Sequence, residues 1–332
     1  MRTRRLVVLL VLLGLVAAAA LASIAVGTRS LAPGEVWRAL FDDDPTNEAA
    51  VIVQQLRVPR TVLGLIVGAA LGMSGALMQG HTRNPLGDPG LLGVTAGASL
   101  AVVCAIAFLD VGSVSGYVWF AFGGALAGTV LVYAIGSAGR GGATPITLAL
   151  AGAALSALLY ALVRAVVVSD TQTLDSFRFW QVGALAGRGA EVAWQVAPFI
   201  AVGVVLALAN APALNLLGLG EDVARGLGQR IWLARTVGLA AITLLCGAAT
   251  AACGPIAFVG LVVPHVVRAL TGPDHRWLVP CAGLLGAALL LSADVVGRVV
   301  ARPGELQVGI VLAVLGAPFF IALVRRRKTM AL

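Results

Sequence analysis

The chain has 332 residues, of which 59% are hydrophobic and 11% charged. A water-soluble protein of this size has nowhere to hide so much apolar surface, so the composition excludes a soluble protein and specifies a polytopic membrane protein. Its net charge of +8 sits at the two termini and in short connections, without interleaved aromatic residues; this excludes a nucleic-acid surface and fits the positive-inside rule.

The N-terminal MRTRR and the apolar run to Val26 have the order of a signal peptide. The run is about twenty residues long, however, which suits an uncleaved first span. An acidic connection follows (27–55, with Asp42, Asp43, Asp44, Pro45 and Glu48), then a second span over 56–80. There Gly64, Gly68 and Gly72 recur every four residues, as Gly124 and Gly128 do later, a spacing that lets helices approach closely. Further spans are predicted at 91–109, 114–136 and 145–168. The connection 169–191 contains DTQTLDSFRFWQVG, expected to form a short helix on the outer surface. Spans at 192–209, 231–252, 256–270, 278–299 and 306–324 complete a set of about ten. No linker or composition shift divides them, so residues 1–332 are expected to form one all-α membrane domain.

An even number of spans puts both termini on one side. That side collects Arg2, Arg4, Arg5, Arg83, Arg140, Arg225, Arg230, Arg235, Arg268, Arg276, Arg325, Arg326, Arg327 and Lys328, against Asp88, Glu221, Asp222 and Asp274. The balance is +10 there and −2 on the other side, so the termini are expected in the cytoplasm. The eighth span, within GPIAFVGLVVPHVVRALTGPDHR (254–276), is short for a bilayer and carries Pro264, His265 and Arg268. A short, Pro-interrupted, charged segment predicts a broken helix in moving machinery rather than a passive anchor.

Catalytic chemistry is absent. The one lysine, Lys328, lies in the C-terminal tail, so no phosphate-binding P-loop exists and any ATP hydrolysis belongs to another subunit. His81, His265 and His275 are widely spaced, and the four cysteines sit in apolar runs, so neither a metal nor a cofactor site is predicted. Asp294 and His265 are the candidates for a proton-coupled carrier working alone; Arg298, four residues after Asp294, is placed to pair with that carboxylate.

The connection NLLGLGEDVARGLGQRIW (215–232) repeats Leu219, Val223 and Leu227 on one helical face, while Gly218, Gly220, Gly226 and Gly228 divide it into two short helical pieces. An amphipathic element outside the membrane needs a receptor for its apolar face, and a partner protein is the expected one.

Six separated segments together resemble the FecCD-type permease subunits of type II ABC importers for iron-siderophores and vitamin B12. They are LRVPRTVLGLIVGAALGMSGALMQG (56–80), RNPLGDPGLLGV (83–94), GEDVARGLG (220–228), the 254–276 segment, ADVVGR (293–298) and ELQVGIVLAVLGAPFFIALV (305–324). The resemblance implies a ten-span subunit that dimerises, with a second copy or a paralogue, around a translocation pathway. It also implies two cytoplasmic ATPases below and a substrate-binding protein above. It assigns ATPase coupling to Leu219, Gly220, Glu221, Ala224, Arg225, Leu227 and Gly228. Binding-protein docking falls to Arg57, Arg60 and Arg298, expected to present positive charge outside, and a cytoplasmic gate to Asn84, Pro85, Leu86, Thr144 and Pro145. His81 departs from the family pattern beside that gate. SFRFWQVGALAG (176–187) and TRNPLGDP (82–89) resemble the siderophore branch, so a ferric siderophore, with a catecholate as the first candidate, is the expected cargo; vitamin B12 and heme are the alternatives.

Overall fold

A computed structural model describes residues 2–328 except 43, 45 and 139–143. Asp43 and Pro45 of the acidic connection and the basic Arg140 lie outside the described residues, as does the side chain of Pro145. The described residues form helices and turns with no strand. The helices are α1 (Arg2–Ala25), α2 (Pro33–Ala39), α3 (Glu48–Ala50), α4 (Val58–Thr82), α5 (Val94–Leu109), α6 (Val114–Ser137), α7 (Pro145–Ser169), α8 (Thr171–Gln181), α9 (Ala190–Leu217), α10 (Glu221–Gly226), α11 (Ile231–Cys253), α12 (Val259–Thr271), α13 (His275–Val300) and α14 (Val308–Lys328). Among the described residues, seven helical stretches are long and apolar enough to cross a bilayer, and α5, α12 and the apolar part of α14 are shorter. Together these occupy the positions of the ten predicted spans.

Several boundaries moved for local reasons. The second span begins at Glu48, because Asn47 accepts from the Ala49 N–H and a π-helical stretch, Val51–Arg57, leads directly into α4. Pro59 follows where π register returns to α; it has no N–H to give to the preceding turn. Residues 215–217, read as the start of the amphipathic connection, instead continue α9, so one short helix (α10) forms there rather than two pieces. The predicted surface helix of 169–191 exists as α8, capped by the Asp170 carboxylate. It is sunk into the bundle by Phe177 and Trp180, both essentially inaccessible.

The glycine repeats sit where predicted packing needs them. A Cβ on Gly68 would come within 2.6 Å of the Gly286 carbonyl oxygen on α13, and one on Gly72 would collide with the Ala282 carbonyl oxygen. Gly97 on α5 and Gly124 on α6 are similarly in mutual backbone contact.

Residues 254–258 are not helical, so α12 spans about 20 Å at 1.5 Å per residue. Irregular backbone at membrane depth needs a protein environment, and it has one. Gly254, at φ +77°, leaves room only for the Trp180 carbonyl oxygen, and the Cys253 carbonyl accepts from the Ala184 N–H at 2.8 Å. Helix α12 then runs through Pro264 without breaking. The missing proline N–H leaves the Gly260 carbonyl unpaired in the helix; the buried Gln79 amide lies 3.5 Å from that oxygen and donates to the Leu261 carbonyl at 3.1 Å.

Candidate functional site

The last carbonyls of helix α1 have no partner within the helix itself. Three arginines from other segments satisfy them and the chain just beyond. Arg57 donates to the carbonyls of Ile24 (2.9 Å), Ala25 (2.8 Å) and Arg29 (2.7 Å). Arg298 donates to the carbonyls of Ser23 (2.7 Å) and Val26 (3.0 Å), and Arg302 to that of Gly27 (2.7 Å). Cations at a helix C-terminus also meet the negative end of its dipole.

Asp294 joins this cluster from α13. It is fully buried and is gripped from two sides: Arg60 Nη2 lies 2.7 Å from Oδ1, while Arg298 contacts Oδ2 through Nε (3.0 Å) and Nη2. Arg60 reaches Glu305 as well, at 2.8 Å. The predicted pairing of Asp294 with Arg298 is therefore present, but as part of a buried network and not a helix-surface ion pair. The expectation that Arg57, Arg60 and Arg298 stand as exposed forks is corrected. Arg57 and Arg298 are almost inaccessible and Arg60 nearly so, because their guanidiniums are consumed by α1 carbonyls and by Asp294.

The network forms one wall of a cleft of about 520 Å³ at the face opposite the N-terminus. Another wall is the chain between α8 and α9, where Leu185 to Gly189 line the opening. This wall is pinned by backbone bonds from Ala184 to Cys253 and from Gly309 to the Gly183 carbonyl (3.0 Å). Arginines 29, 57, 60, 188 and 298 face the cleft together with Glu305, so it carries a surplus of positive charge.

At the N-terminal face, Asp274 ties three segments together. Its carboxylate meets Arg5 at 3.2 Å and accepts from the Asn215 amide at 2.7 Å, while Asn215 Oδ1 accepts from the His275 N–H at 2.8 Å. Partial burial pushes the Asp274 carboxyl up; the Asn215 and Arg276 N–H bonds and the charges of Arg5 and Arg276 outweigh this and hold its pKa below the usual carboxylate range. The end of α9 is thereby linked to the turn between α12 and α13.

Three residues further along, α10 stands between Gly220 (φ +111°) and Gly228 (φ +82°), backbone conformations that favour glycine. Ala224 is its buried contact, whereas Leu219, Val223 and Leu227 are 63%, 51% and 60% exposed. Among the described residues the predicted apolar face is thus largely uncovered, with Arg225 beside it on the surface in a pair with Asp222. Glu221 faces inward instead, 2.5 Å from Arg235 of α11 and 3.9 Å from Arg83.

Of the residues assigned to a gate, Asn84 forms a turn by accepting from the Leu86 N–H (3.0 Å), with Pro85 between them. Thr144 caps α7 by accepting from the Thr147 N–H, and Pro145 is the first residue of that helix. The 3₁₀ turn Pro89–Leu92 packs against α7 at Gly152, two turns beyond Pro145. His81 fits because Gly238 on α11 leaves space for its ring, and its Nε2 accepts from the Asn210 amide at 2.9 Å. Sequence reasoning missed Ser23, Gln79, Arg188, Arg302 and Glu305. Ser23 alone had a visible signal, as a lone hydroxyl within an apolar run.

Comparison with known proteins agrees with this architecture. The FecCD transport family matches residues 15–326. The ferric enterobactin transport system permease protein FepD of Escherichia coli is 46% identical over 98% of this chain and 96% of its own length. The iron(3+)-hydroxamate import system permease protein FhuB of Bacillus subtilis is 40% identical over 97% and 84%, and the cobalamin import system permease protein BtuC of Halobacterium salinarum 42% over 86% and 76%. A solved structure of a metal-chelate type ABC transporter in an inward-facing conformation superposes with a TM-score of 0.84 at 31% identity, covering 96% of this chain and 98% of the other.

Proposed function

Since the chain belongs to the FecCD transport family of ABC importer permeases, we propose that it is the membrane-spanning subunit through which an ATP-driven importer delivers a ferric siderophore to the cytoplasm. A catecholate chelate is the first candidate. The observation that carries this reading is the 46% identity, over nearly the whole of both chains, with a ferric enterobactin permease. Relatives named for hydroxamate, cobalamin and hemin transport make those cargoes the alternatives. The whole chain acts as one permease domain, paired with a second copy or a paralogue. Its N-terminal face is cytoplasmic and receives two ATPases, and the opposite face receives a substrate-binding protein.

The unfilled apolar face of Leu219, Val223 and Leu227 is the surface we assign to the ATPase, presented at a fixed angle by Gly220, Gly228, the buried Ala224 and the Glu221–Arg235 pair. Motion received there passes through Asn215 to the turn ahead of α13, and so to the broken segment 254–271. The turns at Asn84–Leu86 and Thr144–Pro145 form the gate on the same side. Arg57, Arg60 and Arg298 serve docking by holding the shape of the opposite face, not by offering exposed charge. In a carrier driven by protons alone, Asp294 would have to leave the ion pairs it makes with Arg60 and Arg298 in every cycle.

The test is reconstitution of the permease with its ATPases in proteoliposomes. ATP-dependent uptake of a radiolabelled ferric catecholate is expected; uptake without ATPase, driven by a pH gradient, would establish the stand-alone carrier instead. In the same system, Leu219→Asp combined with Leu227→Asp is expected to lower uptake at least tenfold while the protein stays folded, since two charges would be buried in an apolar contact. Unchanged uptake and a normal ATPase complex would remove the coupling assignment.

A further inference from the structure

Arg188 differs from its neighbours in the cleft. Arg60 and Arg298 share Asp294, Arg29 pairs with Glu48, and Arg57 is satisfied by three carbonyls. Arg188 is 8% exposed, and no carboxylate lies within ion-pair distance of it among the described residues. Its Nη1 donates to the Tyr117 hydroxyl at 3.0 Å, and its Nε is buried with no hydrogen-bond partner. A phenol does not neutralise a cation, and a buried charge with an unsatisfied N–H is costly.

The surroundings hold the side chain there. The wall that bears it is tied at Gly183 and Ala184 to α14 and α11, Gly187 turns at φ +71°, and Tyr117 on α6 fixes the guanidinium. The cleft in front of it, about 520 Å³, has the size of a small-molecule site. Arg57, Arg60 and Arg298 add a positive field from the far wall, with Glu305 as the acidic residue in the lining.

Resting on the reading of this chain as an importer permease, we propose that Arg188 contacts the substrate at the mouth of the passage and selects anionic ferric chelates over neutral ones. An oxyanion of the chelate, a catecholate or carboxylate oxygen, accepts from the Arg188 guanidinium, whose planar N–H edges have the right geometry for such oxygens. A small anion is favoured over an acidic side chain of a docking protein because Arg188 lies within the cleft and is more than nine-tenths buried, not on an exposed rim.

The test uses the permease–ATPase complex in nanodiscs. Its equilibrium binding of a multiply anionic ferric tris-catecholate is compared with that of a neutral ferric tris-hydroxamate. The unaltered complex is expected to bind the anionic chelate at least tenfold more tightly. Arg188→Gln is expected to remove about tenfold or more of that affinity, the value of a hydrogen bond to a charged group, without altering the neutral chelate's binding. Arg188→Lys should recover part of it, and Tyr117→Phe, which keeps the charge, should cost little. Equal loss for both chelates would mean a structural role and would overturn the proposal. So would unchanged affinity in Arg188→Gln, no preference in the unaltered complex, or loss of binding-protein association with chelate binding intact. Chelate selectivity without ATP-driven uptake would overturn the importer reading while leaving the Arg188 assignment standing.

Discussion

Asp294→Asn is expected to destabilise the protein by about 3–5 kcal/mol, the cost of removing one partner from a buried ion pair. The carboxylate bridges Arg298 and Arg60, and both guanidiniums also hold other groups: Arg298 the α1 carbonyls, Arg60 the Glu305 carboxylate. Asparagine keeps the shape and loses the charge. Arg298 is then left buried beside a neutral amide without its carboxylate, Arg60 keeps Glu305 but loses its second partner, and Arg298 cannot turn to water without releasing α1. Thermal unfolding of the purified protein should show the loss as a fall in midpoint on the order of 10 °C. Adding Arg60→Met should recover part of it by removing one of the two cations. If Asp294→Asn instead unfolds like the parent and loses only proton-dependent uptake, Asp294 is a proton carrier and the network does not have the structural role assigned here.

Gly72→Ala is expected to cost about 1–3 kcal/mol or more, at the high end for overpacking. One added methyl would overlap the Ala282 carbonyl oxygen, which belongs to a helix backbone and has no rotamer to change. Relief requires α4 and α13 to separate, which disturbs the contacts at Gly68 and Gly286 together. Gly14 on α1 is the control, because a Cβ there meets nothing within 4 Å. Gly14→Ala should be neutral or stabilising by up to about 1 kcal/mol, the helical preference for alanine. The amount of folded protein recovered from membranes and its unfolding midpoint report both. Equal behaviour of the two variants would mean that α4 and α13 do not pack as described.

Much of the architecture was legible because membrane insertion constrains sequence directly. Spans need apolar length, so α1, α6, α7, α11 and α13 fell close to where hydropathy put them. The four-residue glycine spacing on the second span marked the close approach to α13, and the glycines around 218–228 marked a punctuated connection with an apolar face. The extension of the second span back to Glu48 was hidden, because Val51–Arg57 continues the helix in π register behind a proline that usually starts one. The burial of Phe177 and Trp180 in α8 was hidden as well, since an amphipathic helix has the same pattern whether its apolar face meets lipid or protein.

The arginines show the division most clearly. Composition and charge placement determined that this is a multi-pass membrane protein with about ten spans, and the ordered motifs determined its family. Those are properties of each segment's own chemistry and of its place in the chain. Which arginine pairs with what was decided by tertiary structure alone. Arg57 and Arg298 meet α1 across more than thirty and more than 270 residues respectively, Arg60 meets Asp294 across 234, and Arg188 meets a hydroxyl in place of a carboxylate. An arginine near the end of a span has the same local sequence whether it snorkels to water, caps a distant helix or lines a cleft. Only the packing of the other helices removes the water and supplies the partner.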